Sequence, residues 1–248
     1  MPKFFVDKNQ ISDEYILLCG ENAHHISRSL RMTVGEQIAV SDMESFEYDC
    51  VLESFTDSTV RAKIINKYVS KSEPEIKVHL FQALPKGEKL DFIIQKSVEL
   101  GVYDITPFES ERCVVKVKND AESRKTERRN KIALEAAKQC GRGIIPNVKP
   151  SISFGDMLKF ASQSDVVLFC YEGEGTLPMA NALKSIRAEK NIKDISIIIG
   201  SEGGFSVDEA IQSDEFGFVR IGLGKRILRA ETAAIMALSC LVYEFELN

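Results

Sequence analysis

The chain has 248 residues, 44% of them hydrophobic and 28% charged, and a net charge of −5. That is enough apolar material for a true core, in one large domain or a small one plus a medium one. The balance excludes binding to nucleic acid by bulk charge, and no apolar run approaches the roughly 18 residues of a membrane span.

Residues 1 to about 70 carry short alternating segments. Phe4–Val6, Tyr15–Leu18, Gln37–Ser41, Glu47–Phe55 and Thr59–Tyr68 are predicted strands of a small barrel. A helix over Asn22–Met32 interrupts them, with His24, Arg28 and Arg31 expected on one face. The stretch SKSEPE, Ser70–Glu75, reads as a linker. Beyond it β and α segments alternate. Lys77–Leu84 and Asp104–Phe108 are predicted strands, and Glu88–Leu100 is a predicted helix closed by Gly101. Helices follow at Glu127–Gln139 and Phe154–Ala161, then a strand at Asp165–Tyr171, a helix at Met179–Glu189 and a strand at Asp194–Gly200. Ser206–Ser213 is a helix with a capping box from Ser206 to Glu209. Phe218–Gly222 is the last strand and Thr232–Phe245 the last helix. Continuously apolar strands in this alternation predict an α/β fold with a mostly parallel, buried sheet. The last helix is apolar nearly all round, which predicts burial on both sides and a homodimer, with a central place in one domain as the alternative.

The six cysteines are scattered with no CxxC pair and are expected to be reduced, mostly buried thiols of a cytoplasmic protein. The N-terminus MPKFFVDKNQ has no apolar leader region. With three histidines, two of them adjacent, no metal site is expected. Between Arg112 and Arg142 ten bases (Arg112, Lys116, Lys118, Arg124, Lys125, Arg128, Arg129, Lys131, Lys138, Arg142) face four acids (Asp120, Glu122, Glu127, Glu135). That run is either a solvated helix face or a groove for a polyanion.

Chemistry concentrates near the end of the chain. Ile199–Ser206 reads IGSEGGFS and Leu223–Ala234 reads LGKRILRAETAA. With Cys170–Thr176 these loops follow apolar strands, at the carboxyl ends where α/β folds place ligands. Nucleotide fingerprints fail: Gly222-Leu-Gly224 has Ile227 where a third glycine belongs, and GxxxxGK[ST] is absent. Arg229 and Glu231 read either as a salt-bridged pair at a helix start or as reacting groups.

Lys86-Gly-Glu-Lys89, Gln95-Lys-Ser-Val-Glu-Leu-Gly101, Ser110-Glu-Arg-Cys113, Gln139-Cys-Gly-Arg142, IGSEGGFS and LGKRILRAETAA, in this order over nearly the whole chain, resemble the RsmE family. Ser201 departs from its more usual proline. These are SPOUT-class enzymes that methylate N3 of a uridine in small-subunit (16S) ribosomal RNA. The resemblance implies a PUA-like β-barrel over residues 1–72 that helps hold RNA, and a trefoil-knotted SPOUT methyltransferase domain over 73–248. It also implies a homodimer, ribosomal RNA in the small subunit as partner rather than DNA, and S-adenosylmethionine as cofactor. The cofactor residues carried over are Phe169, Cys170, Tyr171, Glu172, Gly200, Ser201, Glu202, Gly203, Gly204, Ile221, Leu223, Gly224, Ile227, Leu228 and Thr232. Arg229 and Glu231 become the expected catalytic pair. His25, Arg28, Arg31, Lys86, Lys89, Lys96, Arg112 and Arg142 become the expected RNA contacts. A non-catalytic RNA-binding assembly factor, or a knotted methyltransferase acting on another RNA site, is the rival reading.

Overall fold

A computed structural model describes residues 1–116, 119–189 and 191–248. It divides into two compact units: Met1–Glu73 with Ala137–Ile145, and Pro74–Ala136 with Pro146–Asn248.

The first unit holds β1 (Lys3–Phe5), β2 (Tyr15–Cys19), the helix α1 (Gly20–His24), β3 (Gln37–Ser41), β4 (Phe46–Phe55) and β5 (Thr59–Val69). The five strands run in the order β1-β3-β4-β5-β2, antiparallel except for the β1/β3 pair. Alternation puts Ile16 and Leu18, Ile38 and Val40, and Cys50 and Leu52 into one core with Phe4, Ile26 and Val60. The helix expected through Met32 is shorter. After α1 the chain makes a wider turn over His25–Ser29, and Arg31 adopts a left-handed φ of 52°. That conformation ends a helix, so Arg31 does not share a helical face with His24 and Arg28.

The second unit holds β6 (Lys77–Ala83), α2 (Lys89–Glu99), β7 (Asp104–Glu109), most of α3 (Asn119–Cys140), β8 (Asn147–Val148), β9 (Ile152–Ser153) and α4 (Phe154–Ala161). Then come β10 (Val166–Cys170), β11 (Leu177–Pro178), α5 (Met179–Ala188), β12 (Asp194–Ile199), α6 (Val207–Glu215), β13 (Val219–Gly222) and α7 (Ala230–Val242). The sheet order is β11-β13-β10-β12-β6-β7-β8, with β9 also on β7, and every pairing is parallel. Ile195 and Ile197–Ile199 of β12 are buried with alternate side chains on opposite faces, so the strand is covered on both sides. Ser206 Oγ accepts from Glu209 N at 3.2 Å and Glu209 Oε2 accepts from Ser206 N at 3.0 Å, the capping box expected from sequence. Helix α3 starts eight residues before Glu127, because Asn119–Thr126 has helix-forming Ala, Glu, Arg and Lys but no apolar period to reveal it. The two-residue strands β8, β9 and β11 are too short to carry a period.

His79 on β6 clasps the amino-terminal edge of this sheet. Its Nδ1 lies 3.0 Å from Asp104 Oδ1 and its Nε2 3.1 Å from Asp194 Oδ1, while Lys149 Nζ stands 2.8 Å from Asp104 Oδ2. Two carboxylate acceptors require both ring nitrogens to donate, which is the imidazolium form. Burial alone would lower the His79 pKa, but the two aspartates raise it above 6.5; burial would raise Asp104, but His79 and Lys149 hold it below 3.8. The His79 contribution is therefore complete below pH 6.5 and lost as pH rises through its raised folded value; that of Asp104 is lost as pH falls through its depressed one. We expect His79→Gln to lower unfolding free energy by about 1.5–3 kcal/mol near pH 5.5, with the gap to the unaltered chain closing at alkaline pH. Urea midpoints across that range measure it, and a pH-independent gap refutes the charged clasp.

Candidate active site

Strand order builds the site. β13, β10 and β12 are neighbours, with Phe169 paired to Ile198 and Cys170 to Ile221, so their carboxyl ends sit side by side. The loops that follow them enclose a cavity of about 380 Å³, the size of a small-molecule site. Of the residues expected to hold a cofactor, Cys170, Tyr171, Glu172, Gly200, Ser201, Gly203, Gly204, Leu223, Gly224, Ile227 and Leu228 line it. Four do not. Phe169 and Ile221 are fully buried strand residues, Thr232 is exposed on α7, and Glu202 turns to the start of α2. Phe169 still supports the site, since its ring packs 4.3 Å from that of Phe205, which lines the cavity.

Two glycines have definite jobs in the loop. Gly204 has φ +63°, which few other residues adopt. A Cβ on Gly203 would stand 3.0 Å from Arg112 Cβ, and Arg112 NH1 donates to the Gly203 carbonyl at 3.1 Å. Arg112 therefore belongs to the cavity wall. Lys225, Arg226, Thr176 and Ala233 line it as well and lie outside the expected set. Lys225 and Arg226 sit inside LGKRILRAETAA, so their signal was in the motif; with Arg112 they give the cavity lining three cations. Burial pushes the Cys170 thiol up, and it faces the cavity as a neutral group. Ser201 Oγ is buried in the same wall with no hydrogen-bond partner among the described residues, a polar atom left for a ligand to satisfy. The lining therefore fits a small polar molecule such as S-adenosylmethionine.

Arg229 and Glu231 stand at the start of α7. Arg229 is its exposed N-cap residue, and its carbonyl accepts from Ala233 N at 2.8 Å. The two are not an ion pair among the described residues. Glu231 instead has Lys89 Nζ 3.9 Å from its Oε2, and that buried oxygen accepts no hydrogen bond among the described residues. Lys89 also donates to Glu202 Oε1 at 2.7 Å, and Lys86 N–H donates to the same carboxylate at 3.1 Å. Burial would raise the Glu202 pKa, but Lys89 and backbone N–H groups hold it below 4.5.

The expected RNA contacts divide. Arg28, Arg31 and Lys86 are exposed; His25 is half-buried, with its ring 6.1 Å from Phe4; Lys96 is paired with Glu99 at 2.8 Å. Arg142 is a correction: it is 4% exposed and bound to Glu73, so it is a structural residue of the first unit. The basic run is also less open than its count implies. Arg128 holds Asp91 through both guanidinium nitrogens at 2.5 and 2.8 Å, and buried Arg129 holds Glu122 at 2.8 Å. Lys118 and the side chain of Asp120 lie outside the described residues. Of the cysteines, Cys50 and Cys113 are buried, Cys170 and Cys240 half-buried, and Cys19 and Cys140 exposed, so they are not mostly buried.

Among the described residues no three or more His, Cys, Asp or Glu gather as metal ligands would, and no helix is long and apolar enough to cross a membrane.

Comparison with known proteins agrees with this geometry. Residues 72–242 match the family model of an RNA methyltransferase domain, and residues 18–65 that of an RNA methyltransferase PUA domain. The chain is 36% identical, over 100% of its length and 98% of the relative's, to ribosomal RNA small subunit methyltransferase E of Bacillus subtilis. A Neisseria gonorrhoeae ribosomal RNA small subunit methyltransferase E, solved bound to S-adenosyl methionine, is 30% identical with a TM-score of 0.82, over 98% of this chain and 97% of that one. A putative methyltransferase from Legionella pneumophila, solved with bound cofactor SAM, is 31% identical with a TM-score of 0.82, over 97% and 96%. With matches of this extent, covering both units and the loops that form the cavity, the chain belongs to the ribosomal RNA small subunit methyltransferase E family.

Proposed function

We propose that this protein methylates N3 of a uridine in small-subunit (16S) ribosomal RNA, with S-adenosylmethionine as donor. The observation that carries this reading is the convergence of three strand-end loops on one cavity, with a Ser201 Oγ that has no hydrogen-bond partner among the described residues and with Arg229 next in sequence to two cavity-lining residues. Tyr171, Gly200, Ser201, Leu223 and Leu228 would hold the cofactor. When bound, S-adenosylmethionine supplies an electrophilic methyl group on a sulfonium.

The uridine nitrogen carries a proton and is a poor nucleophile until that proton leaves. Arg229 stabilises the negative charge that develops on the uracil oxygens. Glu231, whose partner among the described residues is Lys89 rather than Arg229, accepts the proton. Arg28, Arg31, Lys86 and the rim cations Lys225 and Arg226 meet phosphates.

The same reading takes residues 1–72 as an RNA-holding PUA-like domain and 73–248 as a SPOUT domain with a trefoil knot. Support for the knot is that β13 passes between β10 and β11, strands consecutive in sequence, after β12 has been laid on the other side of β10. A homodimer is supported by α7. It buries Ala234, Ala237, Leu238 and Leu241 and leaves Met236 exposed, with Tyr243 exposed just past its end. A ribosomal RNA substrate supports a cytoplasmic location.

The test is transfer of labelled methyl from S-adenosylmethionine to RNA from cells lacking the protein, followed by mapping of the modified base. We expect one labelled 3-methyluridine in 16S RNA. Label at another base or in another RNA overturns the substrate, and binding without transfer leaves an assembly factor.

A further inference from the structure

Lys89 is the one described cation that touches both the cavity loop and the start of α7. Its ammonium lies 2.7 Å from Glu202 Oε1 and 3.9 Å from Glu231 Oε2. All three side chains are partly shielded, at 34%, 29% and 17% exposure. A lysine whose charge is already met by two carboxylates of its own protein has little net charge left to neutralise an RNA phosphate.

We propose that Lys89 is a positioning residue of the methyl-transfer reaction: its ammonium anchors the Glu231 carboxylate against the Glu202 loop, and so fixes where the proton acceptor stands. This rests on the methyltransferase reading above. The two arms of the bridge are unequal. Glu202 keeps the Lys86 N–H at 3.1 and 3.4 Å if the lysine is removed, so the glycine loop stays tethered. Glu231 has no second cation among the described residues, and its buried Oε2 accepts no hydrogen bond. A carboxylate left without its partner in such a place swings toward water. The loss of Lys89 therefore falls on the reacting end and spares the cofactor end. Lys89→Arg keeps the charge and a donor for each carboxylate.

The experiment measures kcat, cofactor dissociation constant and the salt dependence of RNA binding for the unaltered protein, Lys89→Met and Lys89→Arg, with labelled S-adenosylmethionine and 16S RNA. Lys89→Met should lower kcat by up to about a hundredfold, the scale of a misplaced reacting group, with the cofactor dissociation constant nearly unchanged. Lys89→Arg should recover most of that loss, which a defect of folding alone would not allow. The slope of log K against log salt should stay the same in both variants. A slope shallower by about 0.7 in Lys89→Met makes Lys89 a phosphate contact and overturns the inference. So does an unchanged kcat, and so does cofactor binding that weakens in step with kcat. No transfer by the unaltered protein overturns the methyltransferase reading itself and this inference with it, an outcome distinct from the other three.

Discussion

Arg229→Ala lowers kcat by about 10²–10³-fold and leaves cofactor affinity close to that of the unaltered protein. The magnitude is that of removing one preorganised donor to a developing oxyanion. The separation of the two effects comes from the site. Arg229 does not line the cavity, whereas residues on either side of it, Leu228 and Ala230, do. Its backbone caps α7, with φ −66° and ψ 153°, and alanine adopts that conformation, so the helix start persists. No described carboxylate is paired with its guanidinium, and no internal partner is orphaned by its removal. What disappears is a positive charge at the mouth of the site. Arg229→Lys should recover part of the rate, since a point charge remains but the planar fork is lost. Single-turnover methylation beside calorimetric cofactor binding separates these quantities. Normal turnover removes Arg229 from the chemistry, and lost cofactor binding makes it a wall of the pocket.

How much of this could be read from the chain depends on the distance over which each feature is specified. The run DISIII followed by GSEGG is local, and so were its strand and turn; the capping pair Ser206 and Glu209 is three residues wide and stood as expected. The three loops could be grouped from sequence because apolar strands, whatever their order, bring their carboxyl ends to one side of a parallel sheet. Which cation meets which carboxylate is another matter. Lys89 and Glu231 are joined across 142 residues, and nothing in KGEK or RAET reports the pairing. Arg229 and Glu231, two residues apart, invite a salt bridge on paper, yet at that spacing side chains do not face each other once the helix begins. Arg142 was misjudged for the same reason. Its neighbourhood is basic, and a basic neighbourhood says polyanion until the chain is seen returning to the first unit at Ala137–Ile145.

That return predicts the largest loss of stability. Arg142 Nε donates to both oxygens of Glu73 at 3.0 Å, and NH2 donates to Oε2 at 2.6 Å. The Glu73 carboxylate also accepts from Gly143 N at 2.7 Å and Ile144 N at 3.3 Å. Nearby, Ser41 Oγ donates to the Gly143 carbonyl at 2.5 Å and Lys3 Nζ to the Gly141 carbonyl at 3.0 Å. Three side chains from earlier in the first unit, Lys3, Ser41 and Glu73, thus bind one returning loop. Arg142→Ala leaves Glu73 shielded without its cation and should cost about 3–5 kcal/mol, the range for breaking one side of a buried pair. For a chain of this size the thermal midpoint should fall by roughly 6 °C or more. Glu73→Gln with Arg142 intact should cost less than Arg142→Ala, because an amide oxygen still accepts from Gly143 N and Ile144 N. The sign with pH follows from Glu73. Burial would raise its pKa, but Arg142 and the two backbone N–H groups hold it below 4.5. Its contribution is complete above pH 4.5 and disappears as pH falls through the depressed value, so the two substitutions should flatten the acid limb of the stability curve. Hydrogen exchange localises the effect: faster exchange in residues 137–145 and β3, with β12 and β10 unchanged, is the expected pattern. An Arg142→Ala chain as stable as the original, but with a shallower salt slope for RNA binding, returns Arg142 to the phosphate contact its sequence suggested.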